Sequence, residues 1–124
     1  MNNNISKRLE QINNENKIWI LYLFIIGFSF YANTKEKDYF LTNNQNSKET
    51  YRKINTIIFI TLILVYSYFE QDALSSYQNK NKTKKQQQYD TLSLIATTAV
   101  LISGIIFLYI IIDDNNLDSE IAFN

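Results

Sequence analysis

Few residues of this chain could carry chemistry, and the densest group is acidic. Asp113, Asp114, Asp118 and Glu120 crowd into the segment DDNNLDSEIAFN, where carboxylate oxygens could ligate a hard cation. A calcium loop also needs an alternating acidic pattern and a glycine at its sharp turn. The segment has no glycine, so calcium binding is not expected. Histidine and cysteine are absent from the whole chain. Their absence removes thiol nucleophiles, disulfides, Cys/His metal sites and the usual proton shuttle. No hydroxyl stands in a recognisable pairing with a base. The chain reads as non-enzymatic, with no catalytic, cofactor-binding or metal-binding residues.

The basic residues suggest a different partner. Lys80, Lys82, Lys84 and Lys85 fall within QNKNKTKKQQQ, residues 78–88, which has no apolar residue and is expected to be disordered. On the cytoplasmic face of a membrane, each lysine near anionic headgroups would contribute about 1 kcal/mol. The plainer role of these lysines is to fix topology. With 12 Lys+Arg against 12 Asp+Glu the net charge is +0, which gives no reason to expect nucleic acid.

The elements that hold these groups are three runs without charge, residues 18–32, 54–69 and 91–112. They predict an all-α integral membrane protein with transmembrane helices at about 18–34, 54–70 and 91–112, in a single membrane domain over residues 1–124. The third run, of about 22 residues, reaches roughly 33 Å and suffices for a hydrocarbon core of about 30 Å. The first two are shorter and lean on their flanks, where Lys17 can snorkel and Trp19, Tyr31, Tyr66 and Tyr68 favour the headgroup level. A soluble bundle would need polar helix faces, which IIFITLILVYSYF and LISGIIFLYIII do not have. The mean hydropathy of -0.20 reflects the Asn, Gln and Lys of the connections. The first run also has the length of a signal-peptide core, but its nearest small-x-small triplet lies inside the apolar stretch.

Around the spans, Ile5, Leu9 and Ile12 predict a short N-terminal amphipathic helix. Asn46 and Glu49 have capping-box spacing, and Phe69, Ala73 and Tyr77 carry the apolar pattern on past Glu70. A continuous second helix from about residue 47 to residue 77 follows. Heavy use of Asn, Ile, Lys and Tyr without proline points to an AT-rich genome, such as that of a low-GC bacterium, a large DNA virus or a phage.

Orientation follows the basic residues on each side. Lys7, Arg8, Lys17, Lys80, Lys82, Lys84 and Lys85 lie on one side, against Lys35, Lys37, Lys48, Arg52 and Lys53 on the other. The N-terminus is therefore expected in the cytoplasm and the C-terminus on the opposite side.

No ionisable residue falls at the centre of a span, which argues against a transport path. Small residues suggest helix association instead: Ala96 and Gly104, with Val100 between them, form one ridge, Ala99 and Ser103 another, and Gly27 is the notch on the first helix. The function expected is lateral helix packing, as a subunit or scaffold of a membrane or viral envelope assembly. Its partners would be the lipid bilayer and a second copy or other membrane proteins. The alternative is a holin-like or viroporin-like pore lined by Ser93, Thr97, Thr98 and Ser103.

Overall fold

The computed structural model describes residues 3–79, 81–115 and 117, and among them every regular element is an α-helix. Helix α1 spans Asn3–Thr42, α2 Gln45–Gln78 and α3 Lys84–Asp113. All three are long and apolar enough to cross a membrane. Their 40, 34 and 30 residues correspond to about 60, 51 and 45 Å, so each continues past its apolar run. The chain divides into two compact units, Met1–Tyr51 and Arg52–Asn124.

The first unit holds α1, a tight turn and the start of α2. The short N-terminal helix expected from Ile5, Leu9 and Ile12 is not a separate element. These three residues are exposed on the first turns of α1, which runs without a break into the apolar stretch. No proline or glycine interrupts residues 3–26, so nothing in the sequence stops the helix there. It ends at Asn43, whose φ of 57° is left-handed and whose N–H donates to Tyr39 O at 2.7 Å. Asparagine tolerates that conformation and closes the helix with a single bond back to its last turn.

Asn44 then caps α2. Its side-chain oxygen accepts from the backbone N–H of Asn46 at 3.0 Å and of Ser47 at 3.4 Å. The cap therefore lies two residues before the expected Asn46. Asp38, one turn from the end of α1, accepts from the Ser47 hydroxyl and from the Asn44 amide. Ser47 is buried, so this carboxylate ties the end of α1 to the start of α2.

The second unit is an antiparallel pair of helices, and four contacts set its register. Arg52 Nη2 donates to Ile112 O at 3.0 Å. Phe59 packs on Phe107 with ring centroids 5.7 Å apart, and Ile63 abuts Gly104. Glu70 meets Thr97 and Thr98. The inward face of α2 carries Asn55, the adjacent pair Ile58 and Phe59, Val65 and Ala73, all buried, with Val65 two turns beyond Ile58 and Ala73 about two turns beyond Val65. On α3 only Ile111 is buried.

The α2–α3 connection is much shorter than the expected disordered stretch over residues 78–88. Thr83 caps α3: its hydroxyl accepts from Gln86 N, and its own N–H donates to Gln86 Oε1, each at 3.2 Å. This reciprocal capping box satisfies two donors at once, and it makes residues 84–88 helical. Asn79 Oδ1 accepts from Asn81 N, and Gln87 Nε2 donates to Lys82 O, so side chains also brace the turn.

Candidate functional site

The most polar contact between α2 and α3 centres on Glu70. Its two carboxylate oxygens divide their partners: Oε2 accepts from the Thr97 hydroxyl at 2.9 Å and Oε1 from the Thr98 hydroxyl at 2.7 Å. Both hydroxyls also lie within bonding distance of their own helix, Thr97 of Ser93 O and Leu94 O, and Thr98 of Leu94 O. Two consecutive threonines can meet one carboxylate because a bidentate acceptor offers an oxygen to each. A hydrogen bond to a charged acceptor is stronger than a neutral one, and between apolar helices such polar contacts help fix which faces meet.

Glu70 closes the apolar run of α2, yet its partners lie about six residues inside the run on α3, roughly 9 Å along the axis from Thr91. In the sequence this acid stands at the edge of its apolar run. The pairing places it beside the interior of the next one. The signal that could have exposed it is the Thr97–Thr98 pair, two adjacent hydroxyls in an otherwise apolar run.

Beyond Glu70 the two helices enclose a half-open cleft of about 140 Å³, lined by Phe69, Asp72, Ala73, Ser76, Asp90, Ser93 and Thr97. Lys82 closes this end. Its ammonium sits 2.8 Å from Asp90 Oδ2, with both side chains mostly buried, and 3.4 Å from Ser76 O in the last turn of α2. The lysine thus neutralises an acid and satisfies a helix-terminal carbonyl. Among the described residues no three His, Cys, Asp or Glu side chains are grouped to hold a metal ion.

The expected site residues are placed unequally. Of the four lysines, Lys82 is engaged with Asp90, while Lys84 and Lys85 are exposed on the first turn of α3, Lys85 lying 6.0 Å from the Tyr89 ring centroid. Lys80 lies outside the described residues, as do Asp118 and Glu120 of the acidic segment. Of the small residues, Gly104 belongs to the α2–α3 contact, where an added Cβ would stand 3.4 Å from Ile63 Cγ1. Ala96, Ala99 and Ser103 are exposed on α3. Gly27 is exposed on α1 with nothing within 4 Å of its Cβ position, and with Leu23, Phe24, Phe28 and Tyr31 it lines a shallow apolar groove. Of the candidate pore hydroxyls, Thr97 and Thr98 are bound to Glu70. Ser93 lines the cleft, and Ser103 donates back to Ala99 O.

No family model matches the chain, and no curated protein or solved structure matches it.

Proposed function

We propose that this chain is a small, non-enzymatic, multi-pass membrane protein that works through lateral helix packing. It would serve as a subunit or scaffold of a membrane or viral envelope assembly. The observation that carries the reading is the outward face of α3. Ile102 is 52% exposed, Ile106 54% and Tyr109 66%, along a helix that buries only Ile111. A monomeric soluble protein rarely leaves so continuous an apolar surface open to water, whereas lipid and neighbouring helices would cover it.

On that face Ala96, Ala99 and Ser103 recur at helical spacing and are not used against α2. Small residues there would let a second copy, or another membrane protein, bring its backbone close. Gly104 has the opposite assignment, since it already receives Ile63. Ala96→Leu and Ala99→Leu should therefore reduce cross-linking between copies in native membranes while leaving the fold intact. Unchanged cross-linking in both variants would refute lateral packing through this face.

In the proposed orientation the N-terminus is cytoplasmic and the C-terminus is on the opposite side, with Lys84 and Lys85 near anionic headgroups. The chain lacks cysteine, so single cysteines at Asn44, Asn81 and Asn116 can be probed in intact cells with an impermeant maleimide. Labelling confined to Asn81 would reverse the orientation.

A second reading, a holin-like or viroporin-like pore, is favoured by the cleft in which Ser93 and Thr97 face Asp72 and Asp90. Rapid dye uptake and loss of membrane potential on expression would support it over a packing role.

A further inference from the structure

The register of α2 against α3 sets the height of the apolar belt that the pair offers to lipid. On α2 the residues without charge are 54–69, about 16 residues or roughly 24 Å. The corresponding run on α3 is longer, but the contacts restrict how much of it is shared. At one end Arg52 donates to Ile112 O, and at the other Glu70 accepts from Thr97 and Thr98. The earlier part of that run lies beside the polar exit of α2, where Asp72, Ser76, Asp90 and Ser93 line the cleft. Between the two charged levels, Ile57, Ile60 and Leu64 of α2 and Ile102, Ile105 and Ile106 of α3 are exposed. The expected span of α1, residues 18–34, is also free of charge and has a similar height of roughly 26 Å.

An average bilayer has a hydrocarbon core of about 30 Å. A belt shorter than the core is not rescued by tilt, because tilting lowers its projected height further. The remaining adjustments are snorkelling of the flanking side chains, oligomerisation and thinning of the bilayer. Both groups that cross to α3 are held: the Arg52 guanidinium is bonded to a carbonyl of α3, and the Glu70 carboxylate to two of its hydroxyls. Snorkelling is left to the exposed Lys53 at the start of the run, so thinning has to supply the rest. We propose that the α2–α3 pair fits a thin bilayer, with a hydrocarbon core of about 24 Å, and that Arg52 and Glu70 mark its two boundaries. This rests on the membrane reading above and adds the thickness class of the lipid partner.

The test uses the full chain, synthesised in the presence of phosphatidylcholine vesicles whose monounsaturated acyl chains have about 14, 18 or 22 carbons. The alkali-resistant fraction and the thermal midpoint of the inserted protein are then measured. Both should be highest in the shortest lipid, and the inserted fraction should fall at least about threefold by the longest. Glu70→Leu extends the belt and should move the optimum to the middle lipid; Arg52→Leu combined with Lys53→Leu, at the opposite boundary, should move it the same way. A wild-type optimum in the middle or longest lipid, or no dependence on length, overturns the proposal. Failure to insert into any vesicle overturns the membrane reading itself, which is a different result from insertion without a length preference.

Discussion

Glu70 and Thr98 are separated by 28 positions in the chain and joined by a hydrogen bond of 2.7 Å across α2 and α3. Because Thr98 can turn its hydroxyl to Leu94 O, and Thr97 to Ser93 O, removing the carboxylate leaves no orphaned donor. The expected loss for Glu70→Ala is therefore that of a charge-assisted bond with a ready substitute, about 1–2 kcal/mol, read from unfolding in mild detergent. In a double-mutant cycle with Thr98→Val, the coupling should be about 0.6–1.7 kcal/mol. Zero coupling would mean that the two groups do not meet in solution.

The two glycines should respond in opposite ways. At Gly27 the Cβ position is open, so Gly27→Ala should stabilise the protein by roughly 0.5–1 kcal/mol through backbone entropy alone. At Gly104 the Cβ of alanine would touch Ile63 Cγ1 at 3.4 Å, a contact that a small shift accommodates. Gly104→Leu extends past that contact and should cost about 1–3 kcal/mol by overpacking. Thermal midpoints of Gly27→Ala, Gly104→Ala and Gly104→Leu, compared in one detergent, give the order directly. A stable Gly104→Leu protein would displace Ile63 from this contact.

How much of this could be read beforehand depends on whether a feature is local. The three helices follow from the uncharged runs, and the recurrence of Phe69, Ala73 and Tyr77 carries α2 to Gln78. α2 starts two residues before the position expected from the sequence, because Asn43, Asn44 and Asn46 all suit a turn or cap. Only the positive φ of Asn43 and the bonds of Asn44 separate their roles. The role of Glu70 was not legible, since it depends on which residues of α3 stand opposite. Thr83 and Gln86 were legible as a T-x-x-Q capping box, but the surrounding lysines and glutamines concealed it in a composition that reads as disorder.

That capping box can be tested by itself. Thr83→Ala removes the acceptor for Gln86 N and should cost about 1 kcal/mol. Gln86→Ala removes only the reciprocal bond to Thr83 N and should cost less. Hydrogen exchange should accelerate at the first turn of α3 in both variants and remain unchanged near Phe107. Equal protection in wild type and Thr83→Ala would show that the first turn is held by something other than its cap.

Asn55 presents the opposite case, a polar side chain on the buried face of α2. It is fully buried, and neither Oδ1 nor Nδ2 has a hydrogen-bond partner among the described residues. One turn earlier Arg52 Nε is likewise buried without a partner, although its Nη2 is satisfied by Ile112 O. A buried, unsatisfied amide costs about 1–3 kcal/mol, and an apolar residue of similar shape avoids that cost. Asn55→Leu is close in volume and should raise stability by about 1 kcal/mol, with a higher thermal midpoint. Asn55→Asp, which would bury a charge or force it to take a proton, should lower it by more than that. If Asn55→Leu is destabilising instead, the amide has a partner that the leucine cannot replace. A water would then be the first candidate, because a buried amide with both atoms open is the kind of site that ordered water fills.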